Sequence, residues 1–130
     1  VVGVSMGAFA AANASPRMPW VESLTLESPY PSFNAWYGGR REARIMAWFD
    51  RAFPRSSAAI QADRNVAYAV QKRVLVAYAE RDDVTPPSLS RAVGERAPRD
   101  RTVVLPVAGV PHLGLIDAPE YREALLKHLG

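Results

Sequence analysis

The sequence predicts an α/β fold, about four mostly parallel strands with flanking helices. Two observations carry this. Short β-branched or aliphatic runs alternate along the chain with segments whose apolar residues recur at helical spacing, which is the pattern of βαβ units. The junctions between them carry helix caps and breakers: Asn13-Ala14-Ser15-Pro16, Thr85-Pro86-Pro87 and Asp117-Ala118-Pro119-Glu120. A chain of 130 residues is expected to hold one domain, spanning 1–130.

Residues 1–4 read as the end of a buried strand and 6–14 as a helix stopped by Asn13, Ser15 and Pro16. Val21–Glu27 alternates as a strand with Leu24 and Leu26 on one face, and Ser28-Pro29-Tyr30-Pro31 breaks it. From Arg40 to Phe53, Ile45, Trp48, Phe49, Ala52 and Phe53 fall at helical spacing, and Pro54 ends that helix. A second helix is expected through Ser57–Gln71. Arg73–Ala79 and Thr102–Val107 are strands by their β-branched content. Thr85 is expected to cap a helix running to Arg96. Asp117 at N-cap with Glu120 at N3 opens a last helix to Leu129. Region 30–72 is expected to form a helical cap or pocket wall inserted in the domain.

Composition excludes several classes. A hydrophobic share of 48% with 22% charged residues describes an ordinary globular chain. Net charge is +3, but Arg40, Arg41, Arg44, Arg51, Arg64, Arg96 and Arg101 are scattered and read as solvated faces, so no nucleic-acid partner is expected. There is no cysteine, hence no disulfide framework or thiolate metal site, and neither a metal nor a cofactor is expected. No apolar run approaches a membrane span and no signal peptide is visible, so the expected location is cytoplasmic. The chain begins with Val1 inside a strand, and the reading is that its true N-terminus is missing.

Gly3-Val4-Ser5-Met6-Gly7 fits G-x-S-x-G, the pattern of a nucleophile elbow, between the apolar Val1-Val2 and the alanine-rich 8–12. Such a turn lifts a serine hydroxyl clear of the backbone. Gly3 and Gly7 are expected to make room where a Cβ would crowd the neighbouring strand or helix. The helix starting near Met6 aims N–H groups at the same spot, where an oxyanion would be stabilised.

A serine nucleophile needs a base and a group to orient it. The chain holds two histidines. His112 lies in the loop just past strand 102–107. His128 lies near the end of the last helix, beside Lys127, where a cation suits the helix dipole. The acid candidates are Asp82 and Asp83, in the segment after strand 73–79, and Glu27, at the end of strand 21–27. Asp82 and Asp83 cannot both point into the cleft. The order Ser…Asp…His, each past a predicted strand, is that of a triad on a parallel sheet.

On these residues the chain resembles the C-terminal half of an α/β-hydrolase, more narrowly the prolyl-oligopeptidase-like and BEM46-like serine hydrolases, over essentially its whole length. The elbow is Gly3–Gly7. The family's acid-strand pattern, with the acid four residues before a proline, matches 74–86 and selects Asp82, leaving Asp83 as a turn or capping residue. Its G-x-x-H loop matches Gly109-Val110-Pro111-His112. Ala79 and Ala8 stand where the family has glycines.

The resemblance implies hydrolysis of ester, thioester or amide bonds in a small acyl substrate or peptide through an acyl-enzyme. Ser5 attacks, His112 is the base, Asp82 orients it, and the Met6 backbone N–H serves the oxyanion hole. Tyr30, Phe33, Trp36, Tyr37 and Trp48 are candidate substrate contacts; Tyr30, Phe33 and Trp36, in a proline-rich loop near the acid and base, are preferred, and Trp48 on its amphipathic face reads as core.

The resemblance also implies that the N-terminal strands, and the loop giving a second oxyanion donor, are missing from this sequence. Losing one such donor costs about 2.7–4 kcal/mol of transition-state stabilisation. Strand 1–4 would then be an exposed edge inviting self-association. The alternative is a catalytically incompetent fragment or interaction module that retains the half-fold.

Overall fold

The computed structural model describes residues 1–38, 43–53 and 59–130. Four strands, β1 (Val2–Val4), β2 (Ser23–Glu27), β3 (Arg73–Ala79) and β4 (Thr102–Val107), form one sheet in the order β1-β2-β3-β4. Every neighbouring pair is parallel, with Val4 opposite Glu27, Glu27 opposite Ala77 and Ala77 opposite Leu105. Among the described residues the sheet is therefore wholly parallel.

Among the described residues six α-helices accompany it: α1 (Met6–Ala14), α2 (Phe33–Tyr37), α3 (Ala43–Ala52), α4 (Ala62–Val66), α5 (Pro87–Arg96) and α6 (Pro119–Leu129). Strand alternation sorts the core into two layers. Val74 and Val76 of β3 join Leu24, Leu26, Phe9, Val66 and Val93 under α1, α4 and α5. Leu75, Ala77 and Ala79 face the other way, onto Leu115, Ala118 and Tyr121 at the start of α6. A strand buried on both faces reads as a continuous apolar run, which is why Arg73–Ala79 is so plain in the sequence. Alanines at 8 and 12 let α1 lie close against β1 and β2.

Several expectations are corrected. Residues 1–4 are not a buried strand: in line with the exposed-edge reading, β1 lies at one edge of the sheet, and only Gly3 is covered, while Val2 and Val4 are 46% and 41% exposed. Trp48 is not core: it is 65% exposed, and Ile45 is exposed beside it, because this face of α3 meets no neighbouring layer among the described residues. The loop after Pro31 contains α2, capped by the Ser32 hydroxyl accepting from the Ala35 N–H.

Asp117 does not cap α6. It closes a short 3-10 turn at Leu115–Asp117, and Ala118 takes the N-cap position without a side-chain bond. Thr85 likewise does not cap α5, where Pro86 holds that place. The expected helix starts at Arg40 and Ser57, the Pro54 stop, and Arg41 fall outside the described residues.

Candidate active site

Parallel strands deliver their following loops to one end of the sheet, the usual place for a site. Four polar side chains arrive there, one per strand: Ser5 after β1, Ser28 after β2, Asp82 after β3 and His112 after β4.

Ser5 leaves β1 with φ 51° and ψ −112°, a conformation that L-residues avoid. Its N–H donates to the Glu27 carbonyl at 2.8 Å, and its carbonyl accepts from Phe9 N–H at 3.0 Å, the first bond of α1. Although Ser5 is the N-cap of α1, its hydroxyl makes no cap bond and so is not consumed by the helix. Met6, the first residue of α1, has a backbone N–H with no partner inside the helix.

The tight turn needs Gly3: a Cβ there would lie 2.6 Å from the Gly7 carbonyl oxygen and 2.8 Å from the Ala8 nitrogen. Gly7 departs from expectation, since a Cβ there meets nothing within 4 Å among the described residues. Its side of the turn faces open space.

Asp82 and Asp83 separate cleanly. Asp83 is exposed, whereas the Asp82 side chain is 0% exposed and its carboxylate is fully engaged. Oδ1 accepts the Val84 and Thr85 N–H groups at 2.9 and 2.7 Å, which shapes the loop after β3. Oδ2 lies 2.7 Å from His112 Nδ1. A carboxylate can only accept, so His112 Nδ1 is the donor, the tautomer that in a neutral ring leaves the lone pair on Nε2.

The loop of His112 turns at Gly109, whose φ of 75° suits glycine, and closes with Gly114 N–H donating to Pro111 O at 2.9 Å. The His112 side chain remains 11% exposed. Among the described residues no hydrogen bond joins the Ser5 hydroxyl to His112; such bonds are often loose without substrate.

Glu27, the rival acid, is engaged elsewhere. Its Oε1 accepts the hydroxyl of buried Tyr121, on the α6 side of the sheet. Burial first, and then the bond to Glu27, pushes the Tyr121 hydroxyl well above its usual range.

His128 is not an exposed cation. It is buried, its Nε2–H donates to the Leu24 carbonyl at 3.2 Å, and burial holds its pKa below the usual 6.5. It lies at the opposite end of the sheet from Asp82 and His112.

The aromatic candidates form one cluster. Tyr30 stacks on Phe9 at 4.8 Å and on Trp36 at 5.1 Å, with Phe33 tilted against both Phe9 and Tyr30. Phe33 and Trp36 are partly exposed. Tyr30 is 0% exposed, so it backs this wall and does not form its surface. Burial raises the Tyr30 hydroxyl to about 12. Trp36 Nε1–H donates to the Val84 carbonyl at 2.9 Å, tying α2 to the loop of Asp82.

A cleft of about 450 Å3 bordered by Arg81, Asp83, Gly109 and Pro111 opens beside the loops of Asp82 and His112. Another of about 450 Å3 lies between α6 and the amino ends of β3 and β4, at Arg73, Arg101, Lys127 and His128, far from the strand ends that carry Ser5 and Asp82. Among the described residues no three His, Asp or Glu side chains gather as a metal site, and no helix is long and apolar enough to cross a membrane.

Solved structures of similar shape decide the fold. The chain superposes on the candidate non-heme bromoperoxidase BpoC of Mycobacterium tuberculosis H37Rv with a TM-score of 0.70 and 22% identity, over 99% of this chain and 65% of that one. This is an α/β-hydrolase fold. The same fold relates the chain to acetyl xylan esterase 1 of a Thermoanaerobacterium species, with a TM-score of 0.71 and 15% identity over 98% of this chain and 43% of that one. It is also similar to a monoacylglycerol lipase of Paleococcus ferrophilus, with a TM-score of 0.65 and 16% identity over 98% and 65%.

The chain thus spans 43–65% of the length of these α/β-hydrolase structures and carries part of their fold. No protein-family profile and no curated protein sequence matches it. Ser28 was not singled out from the sequence. Its signal is positional: it is the first residue past β2, beside Ser5 past β1.

Proposed function

We propose that this sequence belongs to a serine hydrolase that cleaves ester, thioester or amide bonds through an acyl-enzyme. The single observation that carries the reading is the 2.7 Å contact between His112 Nδ1 and the buried Asp82 carboxylate, at the strand ends where Ser5 occupies a strained elbow.

In this mechanism Ser5 Oγ attacks the carbonyl carbon while His112 Nε2 takes its proton. Asp82 holds the imidazole in the reactive tautomer and stabilises the imidazolium. The Met6 N–H, at the start of α1, donates to the oxyanion. His112 then returns the proton to the leaving group, and water repeats the sequence to release the acid. Phe33 and Trp36, backed by Tyr30, would wall the acyl site, with segment 30–72 acting as a cap within the single domain. The chemistry calls on no cofactor or metal.

The test is covalent labelling of the chain by a fluorophosphonate probe. Wild type is expected to label and Ser5→Ala not to. A folded wild type that labels no better than Ser5→Ala would overturn the proposal.

One observation favours a second reading, an interaction module. Val2 and Val4 of edge strand β1 expose an apolar face suited to self-association or to another chain. Partner binding without turnover, unchanged by His112→Ala, would support it.

A further inference from the structure

Resting on the hydrolase reading above, we infer that Ser28 is a positioning residue: its hydroxyl holds the Asp82 carboxylate in the orientation that presents Oδ2 to His112. Ser28 is buried, and it leaves β2 with φ 48°. A serine is disfavoured at that angle, and here the surroundings hold it. Its N–H donates to the Ala77 carbonyl at 2.8 Å, and its hydroxyl donates to Asp82 Oδ2 at 2.9 Å across 54 residues of sequence. Among the described residues the other buried serines satisfy themselves on backbone carbonyls, Ser15 on Ala12 and Ser90 on Pro29. Ser28 reaches the acid instead.

Counting the acceptor sites of Asp82 shows what this does. An ionised carboxylate offers about four lone-pair positions. Two on Oδ1 take the Val84 and Thr85 N–H groups, and two on Oδ2 take the Ser28 hydroxyl and His112 Nδ1–H. The backbone donors therefore pin one oxygen and leave the carboxylate plane free to pivot about it. Ser28 fixes the other oxygen from the protein side, so the imidazole is aimed by a rigid acceptor and not by one it must itself orient. A misplacement of about 1 Å in such a group costs on the order of 10²-fold in rate.

The experiment measures the second-order rate at which the fluorophosphonate probe labels Ser5 in the full chain. Ser28→Gly removes the hydroxyl and accepts the positive φ, and Ser28→Ala removes it while keeping the strain. Both are expected to label about tenfold more slowly than wild type with an unchanged circular-dichroism spectrum. In an Asp82→Asn background, Ser28→Gly is expected to add nothing, because Ser28 acts through Asp82; a merely structural residue would lose the same factor in both backgrounds.

Wild-type labelling rates in Ser28→Gly, or a loss that multiplies in full onto that of Asp82→Asn, would overturn the inference. If Ser28→Gly does not fold, Ser28→Cys, of similar shape with only a weak donor, replaces it. Failure of the hydrolase reading is seen separately, as absence of labelling in wild type. The His112 Nδ1–H proton resonance then decides: faster exchange with water in the Ser28 variant supports the positioning role, and an unchanged resonance overturns it.

Discussion

Ser5 and Ser28 stand side by side at the carboxyl ends of β1 and β2, and each turns out of its strand with a positive φ, 51° and 48°. Each passes its N–H to the last paired carbonyl of the next strand, Glu27 for Ser5 and Ala77 for Ser28, at 2.8 Å. Such conformations cost about 1–3 kcal/mol apiece and persist where the surroundings over-determine them. Here they lift two hydroxyls out of a parallel ladder, and one of them reaches the carboxylate beside His112.

The two elbow glycines are predicted to behave oppositely. A Cβ on Gly3 would press on backbone atoms at 2.6–2.8 Å, so Gly3→Ala should destabilise the chain by about 1–3 kcal/mol. Gly7 lies in α1 with open space around its missing Cβ, and Gly7→Ala should stabilise by up to about 1 kcal/mol through helix propensity. Urea unfolding of both variants checks this. Equal effects would mean that the turn is not packed as described.

Asp82→Asn should damage reactivity more than stability. An amide cannot replace a carboxylate that accepts four bonds, and it allows the wrong tautomer at His112. Labelling of Ser5 should fall about 10³–10⁴-fold. Stability should fall by about 1.5–3 kcal/mol for the charged hydrogen bonds weakened. A matching Asp83→Asn, at an exposed position, should change stability by no more than about 0.5 kcal/mol.

Tyr30 separates packing from polarity. Its hydroxyl is buried with no hydrogen-bond partner among the described residues, while its ring stacks between Phe9 and Trp36. Tyr30→Phe should therefore be neutral or stabilising, and Tyr30→Ala should cost about 3–5 kcal/mol. Thermal melts of the pair decide. A large loss in Tyr30→Phe would reveal a bond to that hydroxyl.

His128 should make the fold sensitive to mild acid. Burial depresses its pKa in the folded chain, whereas the unfolded chain takes up the proton near 6.5. The contribution is therefore complete above about pH 6.5 and is lost as pH falls through the lower folded value. Between about pH 8 and pH 5, wild type should lose stability relative to His128→Gln, which keeps a donor for Leu24 but does not titrate. Parallel curves for the two proteins would refute this.

What the sequence made legible follows from how local each signal is. β3 and β4 read correctly to the residue, and β2 from Ser23 onward, because their runs are long and β-branched or aliphatic. The elbow was plain because strand, turn and helix are contiguous. The Tyr121–Glu27 bond was not legible, since it joins residues 94 apart. Nor was the Ser28–Asp82 bond, which depends on strand register. Asp117 and Thr85 carried sound local cap signals that lost to neighbours, a 3-10 turn in one case and Pro86 in the other. Trp48 followed helical periodicity, but periodicity names a face without saying whether anything covers it.

The bond from Trp36 Nε1–H to the Val84 carbonyl has a consequence for redesign. Val84 is also one of the residues whose N–H fixes Asp82. Recontouring the aromatic cluster at Trp36 would loosen the same peptide segment that holds the Asp82 carboxylate. On the proposed hydrolase reading, a change of selectivity at α2 and the placement of Asp82 would be mechanically geared together, and libraries that randomise α2 should be screened with the 82–85 loop allowed to vary alongside it.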